Sequence, residues 1–419
     1  MSQTIELDLG DAHADITDHD AYVEGVPHAT FKRLREEDPV SFTEEADGRG
    51  FWSITRYDDV LYASRHTELF SSAKGIRLED MDDEETEARR TIMEMDPPLH
   101  TRYRRLVSKP FSPRAVASYE ESVRELAREV LDEVRGDGSF DFTARVARQL
   151  PMRMLGRLLG LPDQDLDWLV ERGDALIGNT DADFTDYVVD QVDTSDYRLL
   201  PFRSPVSLEL FDYAEGALAE RRTHPTGDVL SALLQPTVDG DLLEDDQLKN
   251  FFTLMVAAGN DTTRYSMSAG LRSLAERPEL LAALREDPAS IKVAVDEMLR
   301  WSSTTMHFRR TATQDTELRG RQIRAGDKVV VWYVSADFDE DQFADPYRFD
   351  AGRRPNDHVA FGLHSPHLCL GAHLARLEMR VLFEELVPML DTIEVRGTER
   401  LRSNFISGLK RLDVEVAWR

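Results

Sequence analysis

Apolar residues recur in steps of three and four at Val116, Tyr119, Val123, Leu126, Val130 and Val134, a spacing that predicts a helix. Ser112 supplies its N-cap, Pro113 its first helical position, and Gly136 ends the pattern. A second pattern runs from Glu244 to Glu276 and stops before Pro278. It covers roughly 32 residues, or ~48 Å at 1.5 Å per residue. Its middle, Phe251 to Gly259, is apolar on every side, so this helix should cross the interior of the protein. A further helix is predicted over Ile291–Trp301. Strand-like runs are short: Phe51–Thr55, and Val329–Val334 entered through the turn Ala325-Gly326-Asp327. With no repeat and no linker in view, the expectation is a mainly α fold with a minor β lobe. It should form a single domain over residues 1–419, with residues 1–20 loosely ordered.

Composition narrows the function classes. The 419 residues are 41% hydrophobic, enough for a large core. Asp and Glu outnumber Lys and Arg by 79 to 51, a net charge of -28 that repels phosphate backbones and argues against nucleic acid as a partner. No apolar run reaches the 18 residues of a membrane span, and the acidic, polar N-terminus is unlike a signal peptide. The one cysteine, Cys369, leaves no internal disulfide, and a reducing cytoplasm is the expected location.

Glycine, serine and proline before Cys369 imply a loop, whereas Leu374, Leu377 and Val381 after Gly371 imply a helix. Cys369 therefore precedes a helix N-terminus, where N–H groups and the helix dipole favour a thiolate. From local context this sulfur is a structural cysteine, a nucleophile or a metal ligand. His364, His367 and His373 are near in sequence, but none is marked as the base a thiol hydrolase requires.

The segment Phe361-Gly362-Leu363-His364-Ser365-Pro366-His367-Leu368-Cys369-Leu370-Gly371 resembles the haem-ligand loop of cytochromes P-450, the haem-thiolate monooxygenases. It departs in having one residue more than the commonest form, and Ser365 where glycine is usual. Further segments resemble the family in the same order. Glu297 and Arg300 share a helix face; by themselves they are an ordinary surface pair, and in the family they form a buried pair that locks a meander, here around Pro346–Phe349. Ala258-Gly259-Asn260-Asp261-Thr262-Thr263 puts poor helix formers where the long helix should be strongest, with hydroxyls able to bond backbone carbonyls and open a kink. The resemblance implies that Gly259 leaves room over the haem for dioxygen, that Thr262 hydrogen-bonds the bound oxygen, and that Asp261 gates protons. His100 and Arg104, four apart, can clamp a carboxylate or simply face solvent; the resemblance assigns them to a haem propionate. It assigns the other propionate to Arg310, with His367 assisting and Arg309 as a close rival. Thr304 stands where proline is usual.

The resemblance thus implies heme b with Cys369 as axial ligand, dioxygen as co-substrate, and electrons from a ferredoxin and its reductase. Basic residues gathered near the cysteine (Arg102, Arg105, Lys109, Arg114, Arg376 and Arg380) could steer such an acidic partner or be ordinary solvated charges. The pocket is expected between Leu254, Ala258, Thr305, Phe405 and Ile406, covered by Ser71–Leu78 and Asp174–Pro205. Its apolar lining calls for a hydrophobic small molecule: a sterol, terpenoid, lipid or alkane. Two other readings are a peroxide-driven haem-thiolate hydroxylase, which generally lacks the acid–threonine pair, and a haem-thiolate sensor, which would usually carry an output domain.

Overall fold

The computed structural model describes residues 9–45 and 50–419. Its axis is the helix Asp245–Ala275, begun by a capping box in which Glu244 and Gln247 satisfy each other's backbone N–H groups. Phe251, Phe252, Val256, Met267 and Leu271 are among its buried residues. Helices Gln149–Leu159, Leu166–Ile177, Val206–Thr223 and Ile291–Ser302 pack around it, so the apolar middle crosses the interior as its patterning requires. The expected kink is not found: the helix runs unbroken through Gly259–Thr263. Thr262 Oγ1 bonds the carbonyl of Ala258 (3.0 Å), and Ser266 Oγ that of Thr262 (2.9 Å). A carbonyl has two lone pairs, so such back-bonding need not displace the helical bond.

The helix predicted from Ser112 onward is two helices, Pro113–Ser118 and Glu120–Asp132, divided at Tyr119. Ser112 caps the first (Oγ accepts from Ala115 N, 3.3 Å), and Glu120 and Glu121 supply the acidic first turn of the second.

The β lobe is small. Strands β1 (Val40–Glu44), β2 (Gly50–Ile54), β3 (Phe70–Ser71), β5 (His307–Ala312) and β8 (Lys328–Trp332) form one sheet in the order β1-β2-β8-β5-β3, in which only β2 and β8 run parallel. Strands β4 (Ser139–Asp141), β9 (Leu390–Arg400) and β10 (Leu409–Trp418) form a second, and β6 (Thr316–Leu318) and β7 (Arg321–Ile323) a hairpin. The run predicted as a strand to Val334 stops at Trp332. Tyr333–Ala336 is a helical turn, and a fully buried apolar run has no period that would mark the change.

Residues 1–8 lie outside the described part. Residues 9–20, expected to be loose, are tied down: Thr30 Oγ1 bonds the Asp11 carbonyl (2.8 Å), Arg33 Nε that of Ala12 (2.9 Å) and Asn404 Nδ2 that of Thr17 (2.5 Å). Among the described residues no helix is long and apolar enough to cross a membrane.

One buried polar knot fixes the region before the cysteine loop. Glu297 accepts from Arg300 Nε and Nη2 (2.8 Å each), from Arg353 Nε (3.0 and 3.2 Å), from the backbone N–H of Asp350 (3.0 Å) and from Asn356 Nδ2 (3.3 Å). Arg300 also donates to the carbonyls of Asp337 (2.7 Å) and Pro346 (3.1 Å), which ties the meander to the helix. Arg353, a third member, carries no local sequence signal because its partner lies 56 residues away.

Candidate active site

Cys369 N–H donates to the Phe361 carbonyl (2.9 Å) and closes the loop. Its left-handed turns fall at Gly362 (φ 71°), where only glycine is free of cost, and at His364 (φ 61°). Ser365 therefore needs no glycine; its hydroxyl accepts the N–H of His367 (3.0 Å) and braces the turn. Helix Ala372–Met389 follows. The Cys369 side chain is accessible yet enclosed by protein, and that enclosure pushes its thiol up. The N–H of Gly371, the Arg104 and Arg376 guanidinium groups and the N–H of Ala372 pull the other way.

Around the sulfur stand the residues predicted from three distant segments. Helix Leu99–Ser108 supplies His100 and Arg104, and Arg104 Nη2 donates to the Leu368 carbonyl. The His100 and His367 rings are 4.3 Å apart, and Ser72 Oγ lies 3.3 Å from His367 Nε2. Both rings are held neutral. Burial, then Arg104, brings His100 down to about 4; burial, then Arg310, His100 and Arg104, lowers His367 further. Arg309 and Arg310 are successive residues of β5 and so point to opposite faces. Arg309 is committed to the Glu79 carbonyl (2.7 Å) and Asp80 Oδ1 (3.0 Å), which leaves Arg310 on the His367 side. The two ring nitrogens of His100 and the Nε of Arg310 are buried without partners. Such groups call for an acceptor. A soft sulfur with Arg104 close by, in a cluster that Arg104 continues to two neutral imidazoles and Arg310, suits iron porphyrin, a thiolate-seeking metal carrying two carboxylates.

A separate cavity is lined by Leu254, Ala258, Thr262, Thr305, Phe405 and Ile406. The two segments expected to cover it contribute Ile76 and Arg77, and Ile177, Pro201 and Phe202. None of Cys369, His100, Arg104, Arg310 or His367 lines this cavity, so the expected residues form two groups. Gly259 belongs to neither. The Cβ it lacks would meet Leu155 at 2.8 Å, so glycine here eases the packing of the central helix on Leu155; Ala258 and Thr262 face the cavity. Thr304, in the place of a proline, bonds Ser266 of the central helix through their hydroxyls (2.9 Å).

Asp261 is fully buried beside Thr262. Its Oδ1 accepts from Asn260 Nδ2 and lies by Arg264 Nη2, both at 3.0 Å, while Oδ2 has no partner. Arg264 also bonds Asp174 Oδ1 (2.6 Å), and Asp174 Oδ2 meets the part-exposed Arg148 (2.8 Å). Burial pushes the Asp261 carboxyl up to about 8 against the pull of Arg264. A carboxylic acid that keeps its proton at neutral pH, at the inner end of a charged chain reaching the surface, can donate that proton. Sequence patterning gave no sign of Arg264, Asp174 or Arg148, which become neighbours only in the fold.

The basic surface is smaller than expected. Arg102 pairs with Asp239 (3.1 Å), Arg376 with Asp296 (2.8 Å) and Arg380 with Glu120 (2.8 Å). Arg105, Lys109 and Arg114 are exposed and make no ion pair among the described residues.

Comparison with known proteins agrees with this arrangement. The family model for cytochrome P450 matches residues 209–402. The methyl-branched lipid omega-hydroxylase of Mycobacterium tuberculosis is 36% identical over 98% of this chain and 95% of its own length. The steroid C26-monooxygenase of the same species is 35% identical over 97% and 93%. Mycobacterium marinum cytochrome P450 CYP268A2, solved with pseudoionone, superposes with a TM-score of 0.87 at 36% identity, covering 97% of this chain and 99% of that one. The chain belongs to the cytochrome P450 family and is a P450 monooxygenase.

Proposed function

We propose that this monooxygenase hydroxylates a terminal carbon of an elongated lipid or steroid side chain, in a single domain spanning residues 1–419. Cys369 would ligate the iron of heme b; His100 and Arg104 would hold one propionate, Arg310 and His367 the other. The observation that carries the haem assignment is the set of unpartnered buried nitrogens on His100 and Arg310 beside the one thiol. When bound, a haem supplies dioxygen binding and cleavage and oxygen insertion into a C–H bond, with thiolate ligation favouring the cleavage. The chain supplies the rest. The Leu254, Ala258, Thr305 and Phe405 side chains exclude water and position an apolar substrate. Thr262 holds a hydroxyl at the cavity wall, and Asp261 holds the proton behind it.

The substrate class rests on two relatives whose names specify lipid omega-hydroxylation and steroid C26 oxidation. Electrons come from a ferredoxin docking at Arg105, Lys109 and Arg114, through the charge complementarity of an acidic partner. Turnover of 15-methylhexadecanoate and of cholest-4-en-3-one with NADH, a ferredoxin and its reductase tests both points. The reading predicts a terminal alcohol from at least one of them. It also predicts that reversing Arg105, Lys109 and Arg114 to glutamate slows haem reduction by about tenfold or more at low salt. Hydroxylation only at inner carbons would contradict the terminal-oxidation reading, and an unchanged reduction rate would remove the docking site.

A further inference from the structure

Two arginines, Arg77 and Arg89, stand in the wall of the mainly apolar cavity, together with Glu79 and Glu94. Arg89 is 7% exposed, and its Nη1 donates to Glu79 Oε1 (3.2 Å). Its Nε and Nη2 are buried and have no partner. Those two nitrogens form one edge of the guanidinium. The same edge of Arg300 grips the two oxygens of Glu297, at 2.8 Å each. An edge of this shape matches a carboxylate, and leaving it unpaired inside the protein is unfavourable.

Arg77, the second of the pair, donates to Asn179 Oδ1 (3.3 Å) and lies over the rings of Phe202 and Phe405 at 5.4 and 4.8 Å. Burial, and Arg89 nearby, lower its affinity for its own proton, while Glu79 opposes them. Glu79 also faces Arg203 (4.0 Å), whose nearer partner is Glu85 (3.0 Å). Glu94 lines the same wall near Arg89, its carboxyl held by the Thr91 N–H (3.0 Å) and hydroxyl (2.7 Å), and burial pushes that carboxyl up toward its neutral form.

Its position along the cavity is fixed. Asn250 Nδ2 donates to the carbonyls on either side of Arg89, those of Ala88 (2.8 Å) and Arg90 (3.4 Å). Asn250 and Thr262 both belong to the helix Asp245–Ala275, 12 residues apart. That separation is about 18 Å along its axis.

We infer that Arg89, supported by Arg77, binds a carboxylate at one end of an elongated apolar substrate and thereby presents the opposite end at Thr262. The presented end follows from the terminal-oxidation reading; the carboxylate site follows from Arg89 itself. It makes a free fatty acid, with its charged group far from the oxidised carbon, the preferred substrate class over a neutral steroid ketone.

Binding is measured without turnover, from the change in haem spin state on titration with hexadecanoate, methyl hexadecanoate and cholest-4-en-3-one. The wild-type protein should bind the acid about tenfold or more tightly than its methyl ester, the order expected for a charge-assisted pair out of water. Arg89→Met should bring the acid within about twofold of the ester, whose own affinity stays put, and Arg89→Lys should fall between, having charge without the fork. If Arg89→Met does not fold, Arg77→Met carries the comparison and should reduce the preference for the acid several-fold. Equal binding of acid and ester by the wild type overturns the inference, as does a preference that survives Arg89→Met, or a steroid ketone whose affinity alone depends on Arg89. A protein that binds the acid through Arg89 yet oxidises an inner carbon contradicts the terminal-oxidation reading and leaves the carboxylate site standing.

Discussion

Glu297→Ala should lower the free energy of unfolding by about 3–5 kcal/mol, as expected when one partner of a buried ionic cluster is removed. Glu297 is completely buried, and so is Arg300, while Arg353 is nearly so. Taking the carboxylate away leaves two guanidinium groups facing each other without an anion, and it frees the backbone N–H of Asp350. Typical domains have only about 5–15 kcal/mol in hand, so a large fraction of the total is at stake. The damage should be directional, because Arg300 holds the carbonyls of Asp337 and Pro346 and thereby the segment leading to the cysteine loop. Urea unfolding followed by circular dichroism, together with the haem content of the purified protein, measures both effects. A loss below about 1 kcal/mol, the range of a surface pair, would mean that the cluster is not what holds this region.

Asp261→Asn should reduce product formation about 100-fold or more, the scale of a lost general acid, while Thr262→Ala should keep NADH consumption and divert it to hydrogen peroxide. The two residues are adjacent and do different things. Thr262 faces the cavity with its hydroxyl on the Ala258 carbonyl, and Asp261 is sealed behind it. The native carboxyl keeps its proton up to about 8, against an ordinary value of 3.8. Product per NADH should therefore decline as pH rises through about 8, when the acid is lost, and Asp261→Asn should abolish that dependence. The same shift has a sign for stability. Between pH ~4 and ~8 the native state binds a proton that the unfolded chain has released, so Asp261 makes stability fall as pH rises through that window. Parallel pH profiles of coupling and of unfolding for the wild type and Asp261→Asn check both. A coupling profile that is flat in the wild type would separate Asp261 from proton supply.

Local physics made some of this legible from sequence. The central helix was readable because its apolar middle and its stop at Pro278 are contiguous in the chain, and Ser112 and Pro113 announced a helix start. The division at Tyr119 was hidden because Val116, Tyr119 and Val123 keep helical spacing across it. The turn at Tyr333 was hidden by a buried run that carries no period. Motif resemblance reached Cys369, His100, Arg104 and Arg310, which the fold gathers from three segments. It does not disclose the Leu155 contact at Gly259, nor the ion pairs of Arg89, Arg264 and Asp174, which depend on partners set only by packing. The six-residue basic patch was overestimated because Asp239, Asp296 and Glu120, far away in sequence, neutralise half of it.

The carbon monoxide difference spectrum of the reduced protein tests the sulfur–iron bond most directly. The account predicts the long-wavelength Soret band of a thiolate-ligated haem for the wild type and its disappearance in Cys369→Ala. A band typical of histidine ligation, or a spectrum indifferent to loss of the thiol, would contradict it.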